Sequence, residues 1–284
     1  MIVSDATTAP DLFARFPTTR TGKLVSRVVL EGIENTPGNY QLLYGEGQEG
    51  GWTTPRHHHN FEQVRWLIDG DYSITEDTTL KAGAVAYFPE SGYYGPQVKG
   101  ASMKMLTVQF GGPSGQGYIS IAQRGRSREE LRASAGNFER GLYTWTDADG
   151  VVRTQDSSEA EWEHATGRKL EYPEPRYNSV IVTHPENFAW IIDPGHPGVQ
   201  TKLLGTFTER QVRIAFIKLA AGASLPLGTE RAPEILFIKA GELLFNGEKY
   251  GPLHAFGTTV KEGPTALVAS QDTECFYVKL PTFD

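Results

Sequence analysis

The sequence predicts an all-β fold, in two strand-rich halves joined by a short helical connector. Three observations predict it. Short runs rich in β-branched and aromatic residues alternate with Gly, Asn, Asp and Pro in both halves. Helix-start signals are confined to the middle of the chain. One spacing of turn and polar residues also recurs in the second half, as an internal duplication would produce.

Taken in order, the first half runs from Leu24 to about Ile121. Gln63–Ile68, Asp71–Ile74, Val85–Phe88 and Met103–Phe110 read as strands there, bounded by Asp69-Gly70 or Gly111-Gly112. Asp69-Gly70 between two such runs is a hairpin signal, because that turn needs positive φ. Ser127-x-x-Glu130 reads as a capping box opening a helix that stops at Gly136. Ser158-x-x-Glu161 opens a second, Glu159–Thr166, which Gly167 ends. Its carboxylates Glu159, Glu161 and Glu163 read as a solvated face, with Trp162 as the helix's anchor. From Asn178 the strand pattern resumes with Val212–Leu219, Glu234–Lys239, Leu243–Phe245, Ala266–Ala269 and Phe276–Leu280. The expected spans are therefore 1–125, a connector at 126–177, and 178–284.

A chain of 284 residues suits one large or two ordinary domains, and 39% apolar content is enough for packed cores. Net charge is −7, which disfavours nucleic acid as a partner. No apolar run is long enough for a membrane-spanning helix. The opening MIVSDATTAPDLFARFP lacks the charged-then-apolar order of a secretory signal. Cys275 is the single cysteine, so no internal disulfide forms, and a reducing cytoplasm is the expected location.

The recurring spacing is Gly51-x5-His57-x-His59-x3-Gln63-x6-Gly70 in the first half and Gly222-x5-Gly228-x-Glu230-x3-Glu234-x6-Gly241 in the second. Gly83-x5-Pro89-x-Ser91-x2-Tyr94 follows the first of these. On an extended chain His57 and His59 point to one face and His58 to the other. Two imidazoles on one face suit iron, copper, nickel, zinc or manganese. Tyr94 is a candidate ligand or proton donor, and Gln63 a candidate for holding a ligand or a histidine tautomer. Arg56 and Arg65 flank the pair, as solvated edge cations or as anion-recognising groups.

This spacing resembles the two motifs of the cupin family, over both strand-rich halves. The resemblance implies two tandem antiparallel β-barrels of jelly-roll type, a ligand in the barrel mouth, and a homodimer as the assembly. It also implies metal ligands at His57 and His59. Gln63 stands where the family has a glutamate and Tyr94 where it has a second-motif histidine, so the neighbouring Glu62 becomes a candidate carboxylate. Tyr87, Gln97, Gln109 and Arg65 are candidate substrate contacts. Gly228 and Glu230 replace both histidines in the second half, and Glu262 replaces the second-motif one, so that barrel reads as scaffold. The function implied is a metal-dependent, dioxygenase-like enzyme acting on a small organic molecule. Fe(II) is the first choice of metal, with Zn, Mn, Ni and Cu as the others. The alternatives are a metal-free isomerase using histidine and Tyr94, and a binding protein without chemistry.

Overall fold

A computed structural model describes residues 1–15, 21–134, 136–260 and 262–283, so residues 16–20, 261 and 284 of the expected barrel spans lie outside the described residues. Eight strands of the first half, with Ile181–Thr183 added at one edge, form a nine-stranded sheet that curls into a barrel. One side pairs Val85–Phe88, Phe61–Asp69, Lys104–Gly111 and Tyr40–Thr54 in that order. On the other side Asp71–Ser73 pairs with Gln97–Lys99 along one edge and with Thr79–Lys81 along the other.

The long strand Tyr40–Thr54 joins the two sides. Its first residues pair with Lys104–Gly111, and its last, Trp52–Thr54, pair with Gln97–Lys99. The corner falls at Gly50 and Gly51, whose φ values of 91° and 65° favour glycine. Asp69-Gly70 also turns a corner. It does not make the expected hairpin, because Asp71–Ser73 pairs with Thr79–Lys81 and Gln97–Lys99, not with Phe61–Asp69.

The second half repeats the plan. A seven-stranded sheet carries Glu234–Ala240, Thr273–Lys279 and Val212–Leu219 at its centre, and a four-stranded sheet carries Ser224–Leu227, Thr265–Ala269 and Leu243–Phe245. Two short strands cross between the halves. Ile2–Asp5 pairs with His254–Gly257 of the second barrel, and Ile181–Thr183 pairs with Val85–Phe88 of the first. The expected spans 1–125 and 178–284 thus each lend a strand to the other's sheet.

Alternation divides every central strand between two cores. In Phe61–Asp69, Val64 and Trp66 join Phe216, Phe237 and Phe276 in a core shared by both barrels, while Leu67 packs in the first barrel's own interior. Trp66 meets Phe216 edge-on at 5.3 Å and Phe276 at 5.2 Å. In Thr273–Lys279, Phe276 and Val278 face the shared core, while Cys275 and Tyr277 face the second barrel's interior. Cys275 is buried, and burial pushes its thiol well above the usual range.

The connector differs in detail from its sequence reading. Its first helix is Ile121–Ala133, and its capping box is Ser120 with Gln123, not Ser127 with Glu130. The Ser120 hydroxyl accepts from the Gln123 backbone N–H while the Gln123 side chain accepts from the Ser120 N–H, so Ser127 falls mid-helix. A three-stranded sheet follows, Asn137–Glu139, Leu142–Thr146 and Val152–Asp156. The second helix, Ser157–Thr166, is capped by Asp156 and ends at Gly167 in the left-handed conformation. Glu161 is not solvated: it is buried, 2.6 Å from Arg128 and 3.7 Å from Arg124 of the other helix. Among the described residues no helix is long and apolar enough to cross a membrane.

Candidate site in the first barrel

His57, His58 and His59 lie on the short connection between Tyr40–Thr54 and Phe61–Asp69, and their backbone is tied to the second motif. His57 and Tyr94 form an isolated bridge, with N–H to carbonyl distances of 2.9 and 3.0 Å, and the Ser91 N–H donates to the His59 carbonyl at 2.7 Å. The two motifs are therefore held together before any side chain is considered. His57 and His59 share a face, with ring centroids 4.9 Å apart and edge-on. Tyr94, 2% exposed, packs against the His57 ring at 4.4 Å. The His57 Nδ1 lies 2.7 Å from the Pro55 carbonyl, which assigns the proton to Nδ1 and the lone pair to Nε2.

His58 points the other way, as alternation requires. Its ring is clamped between Tyr93 at 4.1 Å and Tyr172 at 4.0 Å, both nearly parallel to it. Tyr172 comes from the connector, and no local pattern in the sequence announces that contact.

Behind the histidines, the inward face of the barrel carries a hydrogen-bonded chain of polar side chains. Gln63 Nε2 donates to the Tyr94 hydroxyl at 2.6 Å. The Gln63 Oε1 accepts from Arg65 Nη2 at 2.7 Å and from Gln109 Nε2 at 3.2 Å. Tyr118 donates to the Gln109 and Gln41 side-chain oxygens, each at 2.9 Å. Arg65 is 5% exposed and also donates from Nη1 to the Tyr72 hydroxyl. Burial pushes the Tyr72 and Tyr118 hydroxyls well above the usual phenol range, so both stay protonated. Arg56, by contrast, is exposed and lies over the Tyr93 ring.

Two expected members do not join this set. Glu62 is fully buried, but on the face of its strand opposite Gln63, where it accepts from the Tyr87 hydroxyl. Burial raises its carboxyl to about 8. Tyr87 goes with it, stacked on Phe207 at 4.3 Å in the core between barrels and not lining the first barrel's hollow. Both follow from strand parity: residues one apart cannot share a face. Gln63 is in the cluster, its carbonyl oxygen turned to Arg65 and Gln109 and its amide nitrogen to Tyr94. Gln97 is buried on the inward face, against the Tyr72 hydroxyl.

The corresponding place in the second barrel is closed by internal charges. The Glu234 Oε2 accepts from the backbone N–H groups of Gly228 at 2.6 Å and Thr229 at 3.1 Å, and its Oε1 accepts from Tyr277 at 2.7 Å. Glu230 pairs with Arg213 at 3.0 Å and with buried Lys279 at 3.9 Å. Glu262 instead binds the Met1 amino group and the Thr259 N–H.

No protein-family model matches the chain, and no curated protein does. Solved structures do. A protein of Nostoc punctiforme carrying a provisional dioxygenase designation is similar with a TM-score of 0.61 and 8% identity, over 99% of this chain and 83% of that one. The oxalate decarboxylase of Bacillus subtilis, described for its Mn(II) centres, matches with a TM-score of 0.56 and 12% identity, over 100% of this chain and 78% of that one. The bacterial pirin YhhW of Escherichia coli, solved with nickel(II), matches with a TM-score of 0.52 and 10% identity, over 99% of both chains. The chain has the bicupin fold. At such identities the likeness carries the fold and no more, so the chemistry of this chain rests on its own residues.

Proposed function

We propose that this bicupin is a metal-dependent enzyme of dioxygenase type, acting on a small organic molecule in its first barrel. The observation that supports this best is the convergence of His57, His59 and buried Tyr94 above a polar barrel interior. The donor set fits a divalent transition metal: two imidazoles on one face, the His57 lone pair directed to Nε2 by the Pro55 carbonyl, and a phenol beside them. Among the described residues no group of three or more His, Cys, Asp or Glu comes together, so Tyr94 is the third donor on offer. Such a set holds metal less tightly than one with a carboxylate. The similar structures described with manganese and nickel support the same class, and Fe(II) is the metal proposed here.

When bound, the metal supplies a Lewis acid with open positions for substrate. The chain's own residues do the rest. Gln63 donates to the Tyr94 oxygen and so holds the phenol beside the His57 ring. Arg65 and Gln109 fix the Gln63 amide in that orientation. The Tyr93–His58–Tyr172 stack holds the loop so that His57 and His59 keep their facing. Elemental analysis of protein purified without chelator is expected to find about one equivalent of metal per chain, falling at least about tenfold in the His57→Ala/His59→Ala variant. Metal content that the double variant leaves unchanged overturns the reading.

A metal-free reading has one observation in its favour: the missing carboxylate leaves His57 and Tyr94, ring to ring, as an acid–base pair. Turnover that survives chelation and fails in Tyr94→Phe selects it.

A further inference from the structure

The hollow of the first barrel holds a cavity of about 130 Å³, lined by inward residues of both sides of the barrel. Its wall is apolar over Leu24, Leu43, Met103, Met105 and Trp52, and polar where Arg65, Lys99, Thr107 and Gln109 reach it. Among the described residues Arg65 and Lys99 are its only charged side chains, and both are cations.

Arg65 decides what such a cavity suits. A guanidinium keeps its charge in any protein environment, and burying one without a counter-ion is costly. Here Nη1 donates to the Tyr72 hydroxyl and Nη2 to the Gln63 amide, both neutral groups. The third nitrogen, Nε, is buried without an acceptor. The ring faces of Phe88 at 4.4 Å and Tyr72 at 5.4 Å offset only part of the charge. Among the described residues, a buried guanidinium without a counter-ion, its Nε–H without an acceptor, and an apolar wall together describe the complement of a small anion with an apolar end.

We propose that the first-barrel cavity binds a small organic monocarboxylate, its carboxylate on Arg65 Nε with Lys99 nearby and its short apolar tail against Met103, Met105 and Trp52. A carboxylate fits better than a phosphoryl group, because the cavity is small and largely apolar-walled, and a monoanion loses less hydration there than a phosphoryl dianion. The proposal rests on the first barrel being the working site and names its substrate class; the cavity meets that site through Arg65 and Gln109, which hold Gln63, and is not lined by His57, His59 or Tyr94.

Titration calorimetry of the purified chain tests it, using propanoate to hexanoate, their primary amides and inorganic phosphate. The carboxylates are expected to bind at least about tenfold more tightly than the isosteric amides, as charge-assisted hydrogen bonding to a buried guanidinium implies. Arg65→Gln is expected to remove that preference. Because loss of a buried guanidinium can unfold a barrel, Lys99→Gln is the second variant, expected to weaken carboxylate binding several-fold in protein whose far-ultraviolet circular dichroism shows it folded. Equal binding of acid and amide, no binding of either, or phosphate binding as tightly as carboxylate each overturns the proposal. Carboxylate binding that persists in His57→Ala/His59→Ala protein, while that variant retains the wild-type metal content, sinks the metal reading and leaves this one standing. Metal binding without carboxylate binding does the reverse.

Discussion

Glu62 shows how one side chain's surroundings decide its protonation. Its carboxyl lies between the barrels against Tyr87, with one oxygen buried and unpartnered, and burial raises it from 4.5 to about 8. The folded protein therefore holds a proton that the unfolded chain releases. The stability this confers is complete below about 4.5 and is lost as the pH rises through about 8. Urea denaturation across that window is expected to show stability falling with pH. Glu62→Gln, which keeps the Tyr87 contact without a titrating group, is expected to flatten the slope and to exceed the wild type at the alkaline end. An unchanged slope in the variant removes Glu62 as its source. Glu90, buried nearby and also raised by burial, contributes to the slope in the same direction and remains in the variant.

At the scale of elements, the first connector helix depends on a cap made from its own sequence. Ser120 and Gln123 satisfy two N–H groups reciprocally, and Asn39 donates to the Gln123 oxygen as well, so the cap also ties the helix to the first barrel. Ser120→Ala is expected to cost about 1 kcal/mol, read as a shift in the denaturation midpoint at constant m-value. The Asp69-Gly70 turn carries a different lesson. Its φ requirement is legible in the sequence, but a two-residue turn can close a hairpin or pass a chain from one side of a barrel to the other. Only the partners of Asp71–Ser73 distinguish the two.

At the scale of the molecule, the barrels share one core. Trp66 from the first packs among Phe216, Phe237 and Phe276 of the second, and the strands Ile2–Asp5 and Ile181–Thr183 each complete the other half's sheet. Unfolding is expected as a single transition by both tryptophan fluorescence and far-ultraviolet circular dichroism. Trp66→Ala is expected to lower stability by about 3–5 kcal/mol, because the large ring leaves a cavity in the shared core. Two separated transitions in the wild type contradict a shared core. The closed second barrel, with Lys279 among Glu230 and Glu234, fits a role in holding the first.

The sequence by itself determined the fold class, most strand positions and the facing of His57 and His59, since all of these are local consequences of period-two alternation and turn chemistry. The same alternation carried the correct position of Glu62, opposite Gln63, although the motif spacing argued for treating the two as interchangeable. Only the tertiary structure decided which half each terminal strand joins, that Tyr172 stacks on His58, and that Arg65 is buried without a carboxylate. The reason is physical. A residue's face depends on its neighbours in the chain, whereas its burial, its partners and its uncompensated charge depend on segments that reach it only after the barrels have closed.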